Sequence, residues 1–367
     1  MQNDRPIILA AGGTGGHIFP AQALAEELSE RAGVVYLVTD KRFSGYVTDI
    51  PVKEVLFIKA GRLGGGVFGK IKGLSLAAIG VLQAMKHLRK VRPGAVVGFG
   101  GYPSFPTMVA AIILGIPTII HEQNAVLGRA NRKLMRKVDV IATSFKTTHM
   151  IDESCSHKVV YTGNPVRAAI RALAHLPYRD VSDTGMIHLL VIGGSQGASI
   201  FSQIIPSAIA ALPANLRARI RIDQQCRADD LEVTQEAYSQ LGVSANLAPF
   251  FADIPALLAT AHLVITRAGA SSLTELAVAG RPSILVPLPT AMDNHQHINA
   301  NAMEDAGASW VMAQDGFTAA ALSARLETFI NAPQTLVAAA AAAKQHSNLR
   351  AVEQLADIVQ TKAKKDK

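Results

Sequence analysis

Cysteine is nearly absent from this chain: Cys155 and Cys226 are the only two among 367 residues. Neither has metal-binding or redox spacing, which argues against a disulfide framework and for a reducing compartment. Aromatic residues make up only 5% of the chain, and no zinc knuckle, aromatic RNA-binding motif or helix-turn-helix pattern occurs. Nucleic acid is therefore the weaker explanation of any basic surface. Long apolar runs are missing as well, because residues 104–121 are broken at Pro106, Gly115 and Pro117, and Leu74 to Met85 is only twelve residues. A bilayer span needs about 20. The opening MQNDRPIILAAGG lacks the basic head and apolar stretch of a signal peptide, so the expectation is a protein that stays in the cytoplasm.

What charge there is lies unevenly. Residues 1–165 carry 20 Lys/Arg against 11 Asp/Glu, net +9, whereas residues 166–367 carry 16 against 17, net −1. The basic excess of the first half suits an acidic substrate or an anionic lipid surface. The length fits two α/β domains. The irregular stretch 166–185 sets the expected boundary, giving domains 1–165 and 166–367, with the last helix able to pack back on the first.

Both halves open in the same way. Ile7 to Ala11 reads as a buried strand, Gly12 to His17 (GGTGGH) as a turn, Phe19 to Ala32 as a helix and Val34 to Thr39 as a second strand. Ile187 to Ile192, the turn GGSQGA at 193–198 and the helix Ser199 to Leu212 repeat the pattern. Two βαβ openings imply an internal repeat with parallel sheets. Asp40 at the end of the second strand suggests a dinucleotide site, but GxGxxG begun at Gly13 puts Ile18 where the last glycine belongs. Hydride chemistry loses its main support, and Gly12 to Gly16 remains a cradle for an anion or a sugar. His17, which follows it, is either a general base or a helix-capping, packed histidine.

Further polar groups fall at expected strand ends. HEQNA at 121–125 places His121, Glu122, Gln123 and Asn124 there, a set suited to sugar hydroxyls; His121 and Glu122, adjacent on a strand, would point to opposite faces and make a poor metal pair. In the second half, Leu263 to Thr266 reads as a strand, Gly269 to Ser272 as a small-residue turn, a helix opens near Glu275, and Ser283 to Pro287 is a strand. Glu275 has two readings of equal weight, a carboxylate on ribose hydroxyls or a helix cap. The amides of Gln296 and Asn299 would add polar contacts. Along 61–92, a Gly-rich turn leads into a helix with Leu74, Ala78, Leu82 and Met85 on one face, edged by Lys70, Lys72, Lys86, Arg89 and Lys90. It reads mainly as a sheet-covering helix, with a few residues at its start exposed to an anionic membrane.

GGTGGH, GGYPSFP at 100–106, HEQNA, GNPVR at 163–167, GGSQGA and the run GASSLTELAVAGRPSILVPLP with DNHQHINA occur in that order over nearly the whole chain. Together they resemble the bacterial peptidoglycan glycosyltransferase family that adds N-acetylglucosamine to undecaprenyl-pyrophosphoryl-muramoyl-pentapeptide. The resemblance implies two Rossmann-like domains of the B-type glycosyltransferase fold facing across a cleft. It also implies a peripheral enzyme of cell-wall synthesis at the cytoplasmic membrane face, with UDP-N-acetylglucosamine as donor and no cofactor. By motif, Thr14, Gly15, Gly16 and Asn124 would lie at the donor sugar, and Arg167 and Ser195 at the pyrophosphate. Ala270, Ser271, Ser272, Leu273, Thr274 and Glu275 would hold phosphate and ribose, Gln296 the sugar hydroxyls, and Phe251 would flank the uracil. Phe251 stands where the family has an aliphatic residue and His295 where it has an amide. An inverting attack by the muramoyl 4-hydroxyl would use His17 as base, with Glu122 as the second candidate. No DxD sequence offers a metal site, so the helix starts after Gly197 and Ser272 would stabilise the leaving UDP. The rival readings are a diacylglycerol glycosyltransferase, a UDP-N-acetylglucosamine epimerase and a non-catalytic nucleotide-sugar or lipid-binding module.

Overall fold

The computed structural model describes residues 5–13, 15–41, 50–61, 67–179, 182, 185–194 and 198–364, the side chains of 67–72 excepted. The chain forms two compact units, 1–167 with 350–367, and 168–349. The first holds seven strands: β1 (Ile7–Ala10), β2 (Val35–Thr39), β3 (Glu54–Phe57), β4 (Ala95–Gly98), β5 (Thr118–Glu122), β6 (Val140–Thr143) and β7 (Val159–Tyr161). They pair in the order β3-β2-β1-β4-β5-β6-β7, all parallel. Its helices are α1 (Gly15–Glu30), α2 (Val67–Val91), α3 (Ser104–Ile113) and α4 (Arg129–Leu134).

The second unit holds α5 (Ala168–Arg171), β8 (Ile187–Ile192), α6 (Ser199–Ala210), α7 (Ala214–Arg217), β9 (Ile220–Gln225), α8 (Leu231–Gln240), β10 (Ser244–Ala248), α9 (Ile254–Thr260) and β11 (Leu263–Thr266). It continues through α10 (Ala270–Ala279), β12 (Ser283–Leu285), α11 (His295–Asp305), β13 (Ser309–Val311), α12 (Ala319–Asn331) and α13 (Gln334–His346). Its sheet runs β10-β9-β8-β11-β12-β13, again all parallel. The chain then returns to the first unit as α14 (Ala351–Ala363).

Parallel strands are covered on both faces, so their side chains alternate between two cores. Ile7 and Leu9 of β1 pack with Leu24 and Leu28 of α1 and with Leu355 and Val359 of α14. Ile8 and Ala10 face Ala84 and Leu88 of α2 and Met108 of α3. Arg31 fastens the returning helix, donating to Glu27 at 2.8 Å and to Asp357 at 2.6 Å. In the second unit Ile187, Leu189 and Val191 of β8 pack against Phe201 and Ile205 of α6 and Leu322 and Phe329 of α12.

Several details differ from the sequence expectation. The stretch 166–185 contains α5 and a 3-10 turn over Ala172–His175. The helix expected from Phe19 begins at Gly15, and the one expected near Glu275 begins at Ala270. Small residues with weak helical preference are tolerated in a first turn, where their N–H groups need no intrahelical partner. The apolar face of α2 also departs from its expected role: Leu74 and Leu82 are each 67% exposed, while Ala84 and Leu88 face the core. The exposed strip therefore reaches well beyond the start of the helix. Ile113 of α3, the helix packed on α2, is 59% exposed.

Candidate active site

In an open parallel sheet, ligands bind where the strand order reverses, beyond the carboxyl ends of the strands. The first sheet reverses between β1 and β4, and these two strands are followed by the glycines 12 and 13, before α1, and by the glycine turn at 99–103. They touch backbone to backbone. A methyl group on Gly101, whose φ is +79°, would lie 1.9 Å from the Gly12 carbonyl oxygen, so only glycine fits. His17 stands in the first turn of α1, half-buried, with its ring against Gly100. Phe19 covers Gly15, where a Cβ would meet the ring edge at 2.9 Å, and the Arg167 guanidinium lies 4.4 Å from the centre of the same ring. The structure thus brings Gly15, Gly16, His17 and Arg167 to one end of α1. Thr14 and Ser195 lie outside the described residues.

The end of β5 adds a polar network. His121 is fully buried, with Nε2 at 3.1 Å from the Gly163 carbonyl and Nδ1 at 3.0 Å from the Gln123 amide nitrogen. The carbonyl requires a proton on Nε2, and Nδ1 accepts from the amide, so the neutral ring satisfies both. Burial lowers its pKa to about 4, although the bond to Gly163 opposes the shift. Glu122 accepts four hydrogen bonds, from the Asn124 N–H and side-chain amide at 3.1 Å each, and from the Gly128 N–H and the Asn131 amide at 2.8 Å each. A carboxylate has about four lone-pair sites. Glu122 therefore organises its loop.

The second sheet reverses between β8 and β11. The loops following them are 193–198 and 267–269, the latter leading into α10. Gly269 caps α10 in an extended conformation, and Leu273 N–H donates the first intrahelical bond back to Gly269. The first-turn N–H groups of Ala270, Ser271 and Ser272 are those a helix start offers to an anion. Leu273 itself turns into the core, and the Thr274 hydroxyl donates to the Ala270 carbonyl. Glu275 is the sixth helical residue, half-buried, too far along for the third-position carboxylate of a capping box.

Two residues of α11 grip the loop after β11. Gln296 Oε1 accepts from Ala268 N–H at 3.2 Å and from Leu288 N–H at 2.9 Å, and Asn299 donates to the Ala268 carbonyl at 3.2 Å. Asn299 is buried, and its bond to Ala268 ties α11 to the loop after β11. With Gln296 Oε1 on two main-chain donors, the amide nitrogen is the end it can present to a ligand. The turn before α11 is held by Asp293 and Asn294, both left-handed at φ +52° and +54°, a conformation these two residue types tolerate best. His295 Nδ1 lies 2.7 Å from the Met292 carbonyl in that same turn. Beyond β10, Phe250 is 74% exposed and Phe251 half-buried. Sequence reasoning missed Gln225, the last residue of β9, which bonds to Gly193 and Pro249. The available signal was an amide at a strand end between two candidate loops.

Residues 7–143 match the glycosyltransferase family 28 N-terminal domain and residues 188–355 the glycosyltransferase family 28 C-terminal domain. The chain is 51% identical to the UDP-N-acetylglucosamine--N-acetylmuramyl-(pentapeptide) pyrophosphoryl-undecaprenol N-acetylglucosamine transferase of Paramagnetospirillum magneticum, across 98% of this chain and 97% of that one. It is 45% identical to the transferase of the same description from Zymomonas mobilis, across 98% and 93%. Among solved structures it is similar to Acinetobacter baumannii MurG, with a TM-score of 0.77 and 30% identity over 97% of this chain and 99% of that one.

Proposed function

The chain belongs to glycosyltransferase family 28, and from that premise we propose that it transfers N-acetylglucosamine from UDP-N-acetylglucosamine to the muramoyl 4-hydroxyl of undecaprenyl-pyrophosphoryl-muramoyl-pentapeptide. The observation that carries this reading is 45–51% identity over nearly the full length to transferases described by that donor and acceptor. The product serves peptidoglycan synthesis, and through it cell shape and division.

The acceptor oxygen attacks the anomeric carbon from the face opposite UDP. A new C–O bond forms, the bond to the UDP oxygen breaks, and the anomeric centre inverts. His17 takes the hydroxyl proton, and UDP departs with the bonding electron pair. The first-turn N–H groups of α10 stabilise the departing charge, together with Arg167 and the loop carrying Ser195. Glu275 holds the ribose hydroxyls, Phe251 flanks the uracil, and the Gln296 amide donates to a sugar hydroxyl. Gly15, Gly16, Thr14 and Asn124 border the sugar.

Among the described residues no helix is long and apolar enough to cross a membrane. The exposed Leu74 and Leu82, edged by exposed Lys86, Arg89 and Lys90, support attachment to an anionic membrane surface at its cytoplasmic face. The deciding experiment measures transfer of labelled N-acetylglucosamine to a soluble lipid-pyrophosphoryl-muramoyl-peptide analogue, with EDTA and with diacylglycerol as acceptor in parallel. Transfer to the muramoyl acceptor alone, surviving EDTA, is expected. Tight UDP binding with no transfer to that acceptor would overturn the choice of substrate.

A further inference from the structure

We infer that Gln225 is a positioning residue of the donor site, tying the glycine turn after β8 to the Phe250–Phe251 loop after β10 and so fixing the distance between them. The inference rests on the reading above, in which the second unit holds a UDP-sugar. β9 lies between β8 and β10 in the sheet, and Gln225 is its last residue, paired in register with Ala248. Its side chain therefore emerges at the carboxyl edge, where a strand between two loops can reach both. The amide oxygen accepts from Gly193 N–H at 3.1 Å, and the amide nitrogen donates to the Pro249 carbonyl at 3.1 Å. With each end bonded to main chain, Gln225 acts on a ligand through the loops it joins.

Those loops suit opposite ends of one ligand. Gly193 opens the turn leading to α6, a twelve-residue helix whose N-terminus favours phosphate. Pro249 precedes Phe250 and Phe251, an aromatic surface of the kind a base packs on. A ligand that touches one loop gains nothing from their spacing. A ligand that spans both gains affinity only while the second contact is pre-positioned by the first, which is what a short tie preserves. Methionine matches glutamine in length but can neither accept from Gly193 nor donate to Pro249.

The test uses the full chain with Gln225→Met and Gln225→Asn, the second keeping an amide one methylene too short to bridge the gap. Affinities for UDP, uridine and pyrophosphate are measured by calorimetry, and KM and kcat from donor titrations. UDP binding and KM for UDP-N-acetylglucosamine are expected to worsen about tenfold, or 1.4 kcal/mol. Uridine and pyrophosphate should each stay within about twofold, and the loss should fall on KM with little change in kcat. Should the Met variant fail to fold, as judged by circular dichroism and Tm, the Asn variant carries the comparison. Unchanged UDP affinity in a folded variant overturns the inference, as does an equal loss for UDP and uridine. A wild-type chain that binds no UDP overturns the reading of the site, and the inference with it.

Discussion

His17 and Gly100 meet across the two glycine turns of the first sheet: a methyl group on Gly100 would lie 3.0 Å from Cδ2 of the imidazole and 3.1 Å from Nε2. The ring thus rests on a backbone that carries no side chain, at the strand-order reversal where a parallel sheet places its chemistry. His17→Ala should reduce turnover at least roughly a hundredfold, the scale of a lost general base, with KM for the donor changed by less than about threefold. Steady-state rates check this, and an unchanged rate removes His17 from the mechanism. Gly100→Ala should lower kcat about tenfold by displacing the imidazole, since misplacing a catalytic group costs rate even when its chemistry is intact.

Gln296 supports a sharper prediction than a simple deletion. Its Oε1 is committed to Ala268 and Leu288 N–H groups, so Gln296→Glu retains an oxygen for both while replacing the amide donor by an acceptor and adding a negative charge. Thermal stability should hold within a few degrees, while KM for UDP-N-acetylglucosamine rises by at least about tenfold, the cost of an acceptor left opposite an acceptor. Gln296→Ala should lower Tm as well, because it strands both N–H groups. Equal KM for the Glu variant and the wild type would mean that no sugar oxygen accepts from this amide.

Much of this architecture was legible in the sequence, and what was missed has physical causes. β1, β6, β8 and β11 are mostly buried runs that announce themselves, because strands covered on both faces are largely apolar. β3, β10 and β13 escaped notice: all three are edge strands of mixed polarity, and Ser309–Val311 is only three residues long. The glycines at 15 and 16 and the serines at 271 and 272 looked like turns because glycine and serine are weaker helix formers than alanine, yet each pair lies in a first helical turn. Glu122 and Asn299 were recognisable as polar residues near a site. Their use as scaffold depends on partners such as Gly128 and Ala268, which no spacing rule reveals.

The α2 strip can be tested apart from catalysis. Leu74→Ser with Leu82→Ser removes two side chains that already face water, so folding should be little affected. Burying a leucine is worth about 1.5–3 kcal/mol. Even partial insertion predicts at least about a tenfold loss of binding to anionic vesicles in co-sedimentation, with activity on a short-chain soluble acceptor preserved. Equal sedimentation would return α2 to a role in covering its sheet.

Acid should destabilise both units through histidines held neutral. His121 in the first unit and His262 in the second each have a pKa lowered to about 4. Burial is the main cause for both, and the charges of His188, Arg281 and Arg179 add to it for His262. The unfolded chain binds these protons with a pKa near 6.5. A folded pKa below the unfolded one means the stabilisation is complete above about pH 6.5 and is lost progressively as the pH falls toward 4. The urea midpoint should therefore drop between pH 7.5 and 4.5. His262 Nδ1 accepts from the His188 N–H at 3.0 Å, a bond a glutamine carbonyl can also accept. His262→Gln should accordingly flatten the pH dependence of the second unit and leave that of the first intact, followed by hydrogen exchange in each. Parallel curves for variant and wild type would mean that other groups take up the acid-labile protons.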